Sequence, residues 1–142
     1  MILPDVNVLV YAYRVDAPKH DRYRRWLEAV LDGNEAYAVS DLVLAGFLRV
    51  VTHPRVFVPP SPIGHALEFA EALRNHRNCV RAAPGQRHWE IFSGLCRETN
   101  AKGNLVPDAY LAGLAIESGS EWMTTDRDYS RFPGVRWRDP GA

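Results

Sequence analysis

The sequence predicts an α/β fold in which a short central, mainly parallel sheet is flanked by helices. Short apolar segments alternate with longer segments of helical periodicity along the chain, and this alternation is typical of parallel strands joined by helices. The length of 142 residues is close to the commonest domain size, so one domain covering residues 1–142 is expected. Hydrophobic residues make up 46% and charged residues 24%, which excludes disorder as the main state.

The N-terminal segment predicts a strand followed by helical structure. Residues 1–3 are apolar and precede Asp5, which suits a brief buried strand with Asp5 at its carboxyl end. A helical turn is expected to begin near Val6. Residues 18–32 carry apolar side chains at spacings of three and four between charged ones, and Gly33 follows, as at the end of an amphipathic helix.

The middle of the chain predicts a second strand and two further helices. Residues 36–39 form the strand, and Ser40 or Asp41 is expected to cap the helix that comes next. The following helix is expected after a proline-rich turn, with Ser61 as its cap and Pro62 in its first helical position.

The C-terminal half continues the same alternation. Its predicted elements are a strand at 79–82, a helix introduced by Pro84 and Gly85, a helix at 107–117, a strand at 121–124 and an edge strand at 136–137. The four tryptophans lie inside apolar segments, which favours packing in the core or an interface over base stacking: Trp26, Trp89, Trp122 and Trp137.

Composition also limits where the protein works and what it binds. The longest apolar stretches fall far short of the roughly 20 residues that span a bilayer, and the N-terminus does not resemble a secretory signal, so a cytoplasmic protein is expected. Cys79 and Cys96 are too few for a disulfide framework. The formal net charge is zero, but the arginines between Arg127 and Arg138 leave local contacts to phosphate open.

Three aspartates occupy positions where such a fold gathers ligands. Asp5 ends the first predicted strand, Asp126 follows the fourth, and Asp108 lies in the first turn of a helix. Ligands of open parallel sheets bind beyond the carboxyl ends of the strands, so these carboxylates converge if the strands are adjacent. Each aspartate alone is commonly a helix cap or turn residue. It is their joint placement that indicates a site.

Converging carboxylates repel one another, and a hard divalent cation relieves this cost most naturally. The sequence therefore predicts a site for Mg²⁺, with Mn²⁺ as a substitute. Such an ion lowers the pKa of a bound water and stabilises charge on a leaving oxygen, which matches hydrolysis of a phosphodiester.

Four motifs, taken in this order and spacing, resemble the PIN-domain ribonucleases of the VapC toxin type. They are DVNVLVYA at 5–12, VLAGFLRVVT at 43–52, DAYLA at 108–112 and TTDRDY at 124–129. The resemblance spans nearly the whole chain. It implies an endoribonuclease toxin that cleaves RNA with Mg²⁺, forms a homodimer and is held inactive by a VapB-type antitoxin.

Carried over by position, Asp5, Asp108 and Asp126 match the catalytic, metal-binding aspartates of that family. By the same resemblance, Asn7 and Thr125 match polar residues beside them that orient ligands or substrate.

One position departs from the family pattern. Many members have an acidic residue in the middle motif, where this chain has Gly46. Asp41, five residues earlier, is a speculative substitute, and Asp128, two residues beyond Asp126, is an additional candidate ligand or a helix cap.

The departure at Gly46 leaves a second hypothesis from a different class, a catalytically weakened PIN fold that binds RNA or protein. Metal-dependent cleavage of RNA distinguishes the endoribonuclease hypothesis from this binding hypothesis. A response-regulator-like acidic pocket is disfavoured, because the third predicted strand ends without the aspartate that a phosphoacceptor requires.

Overall fold

The computed structural model describes residues 1–142, and its strands are parallel as predicted. They are β1 (Ile2–Pro4), β2 (Tyr37–Val39), β3 (Cys79–Arg81), β4 (Glu121–Met123) and β5 (Trp137–Arg138). Strand β1 pairs with β4, which pairs with β5, and β2 pairs with β3. The two hydrogen-bonded groups meet where β1 lies next to β2, giving the order β3-β2-β1-β4-β5.

Six helices connect and cover these strands, as expected of an α/β fold. They are α1 (Val6–Tyr13), α2 (His20–Asp32), α3 (Asp41–Val51), α4 (Ile63–Arg74), α5 (His88–Thr99) and α6 (Leu105–Ser118). A 3₁₀ helix, Arg127–Arg131, follows β4. None of the helices combines the length and the apolar character that a membrane crossing requires.

Two of the helices begin at the carboxyl end of a strand because a polar residue there caps them. Asp5 follows β1 and its carboxylate accepts a hydrogen bond from the Val6 amide at the start of α1, at 2.7 Å. Ser40 follows β2 and accepts from the Val43 amide of α3 at 3.4 Å, which settles the choice between Ser40 and Asp41 as the cap. Each cap satisfies a helix amide that would otherwise lack a partner.

The core forms one cluster between strands and helices. Its largest fully buried side chains include Tyr37 of β2, Phe47 of α3, Trp122 of β4 and Tyr129 of the 3₁₀ helix. The rings of Trp122 and Tyr129 pack against each other near the carboxyl end of β4, with centroids 5.4 Å apart. This end of the sheet therefore rests on closely packed aromatic side chains.

The predicted cap of α4 is wrong. The helix begins at Ile63, with Pro62 as its cap residue, and the Ser61 hydroxyl instead accepts a hydrogen bond from Arg14 Nη1 at 3.0 Å. Arg14 also donates to the Pro59 carbonyl at 3.1 Å, so it fixes the proline-rich turn. The serine is therefore used by a residue 47 positions away in sequence.

Trp122 is completely buried in the core, as expected, whereas Trp89 lies outside the core. Trp89 lies in the first turn of α5, packs edge-on against Phe92 and leaves 70% of its surface exposed. Phe92 and His88 of α5 pack against Tyr110 of α6, and packing of Trp89 in an interface stays a prediction.

Candidate active site

Asp5 is fixed at the seam between β1 and β4. Its amide donates to the Met123 carbonyl at 2.8 Å, which continues the parallel ladder one residue past β1. Its side chain is only 8% exposed. One carboxylate oxygen, Oδ1, accepts from the Val6 amide, and the other, Oδ2, accepts from the Thr124 hydroxyl at 2.7 Å. The carboxylate is thus held by the first amide of α1 and by the residue that follows β4.

Thr124 links two of the predicted site residues. Its hydroxyl donates to Asp5 Oδ2 and accepts from the Asp126 amide at 3.1 Å, and the residue is completely buried. The resemblance indicated the next residue, Thr125, which is half-buried beside it. Strand register could have identified Thr124: Pro4 is opposite Met123, so the residues that follow them, Asp5 and Thr124, are neighbours.

Asp126 and Asp108 approach Asp5 from different elements. Asp126 caps the 3₁₀ helix, and its Oδ1 accepts from the Asp128 amide at 2.9 Å. Asp108 lies in the first turn of α6, half-buried, and its Oδ1 accepts from the Tyr129 hydroxyl at 3.3 Å. The end of β1, the segment after β4 and the first turn of α6 therefore bring the acids to one place. Neither Thr124 nor Tyr129 was among the predicted site residues.

The carboxylates interact electrostatically. Burial, and to a smaller extent the charges of Asp108 and Asp126, raises the pKa of Asp5 to about 6 against the lowering effect of its hydrogen bonds from Thr124 and Val6. Burial, and then the charge of Asp126, raises the pKa of Asp108 above its usual value. The three predicted aspartates thus form one interacting acidic cluster.

The buried phenol of Tyr129 belongs to this cluster. Burial raises its pKa far above the usual range, and the carboxylates of Asp5, Asp108 and Asp126 act in the same direction. The hydroxyl therefore remains protonated and is available as a hydrogen-bond donor to the acids.

The other predicted positions lie around or outside this cluster. Asn7 is exposed in the first turn of α1, two residues from Asp5. Asp128 is exposed, and its charge raises the pKa of Asp108, so it lies at the rim. Asp41 instead forms an exposed ion pair with Arg74, with N to O distances of 2.7 and 3.1 Å. The charges that influence the Asp41 carboxyl come from Arg74 and Arg81, and none comes from the acidic cluster.

Comparison with known proteins places the chain in a family. The PIN domain family model matches residues 2–135. Ribonuclease VapC43 of Mycobacterium tuberculosis is 43% identical over 140 residues, which cover 99% of this chain and 95% of that protein. The chain belongs to the VapC family of PIN-domain proteins.

Other relatives agree with this assignment. Ribonuclease VapC25 of Mycobacterium tuberculosis is 40% identical over 136 residues, covering 96% of each chain. Among solved structures, VapBC2 from Rickettsia felis, bound to a DNA fragment from its promoter, aligns with a TM-score of 0.69 at 20% identity. That alignment covers 97% of this chain and 98% of the other, so the two share a fold.

The donor chemistry of this PIN domain suits a hard divalent cation. The cluster offers carboxylate and hydroxyl oxygens, and its acids raise one another's pKa, so a positive charge among them is favourable. No three His, Cys, Asp or Glu side chains are grouped closely enough to hold a metal ion by themselves. A divalent cation held here would complete its coordination with waters.

Position 46 of this PIN domain lies beside the cluster. Gly46 of α3 packs directly on Val6, the residue whose amide is bonded to Asp5. A side chain at this position would have to displace Val6. Close packing against Val6 therefore explains why a glycine fits at position 46. Because α3 supplies no carboxylate here, the acidic cluster is formed by aspartates at the end of β1, in α6 and in the segment after β4.

Proposed function

We propose that the protein is a metal-dependent endoribonuclease, the toxin of a toxin–antitoxin pair, which hydrolyses RNA phosphodiester bonds. The observation that carries the proposal is the Asp5 carboxylate, which is held between Val6 and Thr124 and made costly to ionise by its burial and then by the charges of Asp108 and Asp126. A carboxylate maintained in such a setting is typical of a catalytic or metal site. The ribonuclease names of the relatives support the same activity.

In this proposal Asp5, Asp108 and Asp126 are the catalytic, metal-binding residues. The ion they hold is Mg²⁺, with Mn²⁺ as a substitute, and when bound it supplies an activated water and stabilises charge on the leaving oxygen. Asp5 contributes a carboxylate whose orientation is fixed by two hydrogen bonds. Asn7 and Thr125, at the rim, orient ligands or substrate.

Proposed partners follow from the family. Structures of relatives are VapBC complexes, some of them bound to DNA, so we include a VapB-type antitoxin as the partner that holds the protein inactive. The proposed assembly of the toxin itself is a homodimer. The proposed substrate is RNA bound through its phosphates, because a metal site of this kind contacts the backbone and reads no base sequence.

The alternative, a PIN fold that binds RNA or protein without turnover, is favoured by Gly46, which leaves the cluster without a carboxylate from α3. Cleavage of total cellular RNA by the purified protein distinguishes the two. Mg²⁺, Mn²⁺ and chelator are compared for the wild type, for Asp5→Asn and for a control, Asp32→Asn, which makes the same chemical change at an exposed position at the end of α2.

The endoribonuclease proposal expects discrete RNA fragments that require metal, persist in Asp32→Asn and disappear in Asp5→Asn. RNA binding without fragments under every metal condition supports the binding module. Fragments that Asp5→Asn produces as well as the wild type contradict the assignment of Asp5.

A further inference from the structure

The Tyr129 side chain is held firmly by the core below the acidic cluster. Its ring is 2% exposed and packs between Trp122 and Phe132, with ring centroids 5.4 and 5.8 Å away. Its hydroxyl donates to Asp108 Oδ1 at 3.3 Å. The position of the hydroxyl is therefore set by packing, and Asp108 adapts to it.

Each of the two half-buried acids has one oxygen restrained and one free. Asp108 Oδ1 accepts from Tyr129, and Asp126 Oδ1 accepts from the Asp128 amide. The second oxygen, Oδ2, of each carboxylate accepts no hydrogen bond from the chain. A carboxylate restrained through one oxygen presents the other in a fixed direction.

The restraint on Asp108 comes from a side chain, whereas that on Asp126 comes from the backbone. Asp126 is bonded within its own turn, so its orientation follows from the 3₁₀ helix. The Asp108 carboxylate has no such bond within its own turn, and the neutral phenol of Tyr129 is its hydrogen-bond donor. Removal of that donor leaves the carboxylate repelled by Asp126 and free to turn away.

We propose that Tyr129 is a positioning residue, which holds Asp108 Oδ1 so that Oδ2 is directed toward the metal ion shared with Asp5 and Asp126. This inference rests on the proposed function, because it assigns Tyr129 a part in the same metal site. It adds a residue that neither touches the ion nor reacts, but determines how well one ligand is oriented.

Tyr129→Phe tests the proposal because it removes one oxygen and keeps the ring that fills the core. Loss of a hydrogen bond to a metal ligand typically weakens metal affinity by about 10- to 100-fold. We expect the Kd for Mn²⁺, measured by calorimetry on the full chain without RNA, to rise about tenfold or more. RNA cleavage is expected to need correspondingly more Mg²⁺, with most of the rate restored at saturating metal.

Tyr37→Phe is the matched control. Tyr37 is also a buried phenol, 1% exposed, and its hydroxyl donates to the Leu73 carbonyl at 2.6 Å, away from the acids. It is expected to lose stability without a change in Mn²⁺ affinity. An equal loss of affinity in both variants indicates general destabilisation and overturns the proposal.

A double-mutant cycle provides a second test of the same hydrogen bond. Asp108→Asn removes the charge from the other end of the same hydrogen bond, and Tyr129→Phe added to it is expected to weaken Mn²⁺ binding no further. Independent, additive losses overturn the positioning role, as does a Kd of Tyr129→Phe within twofold of wild type. Wild-type protein that neither binds Mn²⁺ nor cleaves RNA overturns the proposed function itself, and this inference with it.

Discussion

Gly46 of α3 faces Val6 of α1 so closely that a Cβ atom on the glycine would lie 2.9 Å from Val6 Cγ2. That separation is shorter than ordinary van der Waals contact, so any side chain at position 46 requires Val6 to move. Val6 is bonded through its amide to Asp5. The packing of α3 on α1 and the placement of the buried aspartate are therefore coupled at this point.

Gly46→Ala is expected to destabilise the protein because the new methyl group meets Val6. Overpacking typically costs about 1–3 kcal/mol, and the gain in helix propensity from glycine to alanine returns only about 1 kcal/mol. In a Val6→Ala background the steric term disappears, so the same substitution is expected to stabilise. Urea unfolding of the wild type, the two single variants and the double variant measures the change in the free energy of unfolding in each background. An equal effect of Gly46→Ala in the two backgrounds contradicts the close contact.

The raised pKa of Asp5 predicts how the stability of the metal-free protein depends on pH. A folded-state pKa of about 6 exceeds the ordinary value of 3.8, so the folded protein binds this proton more tightly than the unfolded chain. Protonation of Asp5 therefore stabilises the folded protein fully below about pH 4, and this contribution to the free energy of unfolding is lost as the pH rises through about 6. Its size is on the order of 3 kcal/mol, from about 1.36 kcal/mol per pKa unit.

Asp5→Asn isolates that contribution, because asparagine has a similar shape and no charge. At pH 7.5 without metal the variant is expected to unfold at higher urea than the wild type, and near pH 4 the difference is expected to vanish. Added Mn²⁺ is expected to stabilise the wild type and not the variant. A variant that is less stable than the wild type at pH 7.5 argues that the Asp5 charge is fully compensated by the fold.

Thr124→Val is expected to impair the site more than Thr125→Val. The first substitution leaves both Asp5 Oδ2 and the Asp126 amide without their buried partner, at a cost of about 1–3 kcal/mol for each unsatisfied group. Thr124→Ser retains the hydroxyl and is expected to retain most activity. Metal-dependent RNA cleavage and urea unfolding of the three variants decide which threonine supports the aspartates. A larger loss in Thr125→Val favours the family correspondence over the observed hydrogen bonds.

Local patterns predicted the elements, whereas the details of the site depend on contacts between distant segments. Asp5 was predictable because the strand end and the helix cap are adjacent in sequence. Thr124 depends on the register between β1 and β4, which no single segment contains. Ser61 was wrongly predicted as a cap because Arg14, far away in sequence, captures its hydroxyl. The closeness of Gly46 to Val6 is likewise a property of helix packing.

Asp41 provides the sharpest test of which acids belong to the site. As a candidate ligand it would replace the family's acidic residue in the middle motif, yet its carboxylate is paired with Arg74 at 2.7 Å and is exposed. An arginine partner lowers the pKa of Asp41, the opposite of the shift at Asp5 and Asp108, and a carboxylate already neutralised gains little from a metal ion. Asp41→Asn is therefore expected to leave the Mn²⁺ affinity and the cleavage rate nearly unchanged, whereas Asp126→Asn is expected to lower both by about tenfold or more. Both expectations are checked by measuring Mn²⁺ binding and RNA cleavage in parallel. A loss in Asp41→Asn as large as that in Asp126→Asn would place a fourth carboxylate at the metal. The ion pair of Asp41 with Arg74 would then exist only in the metal-free protein.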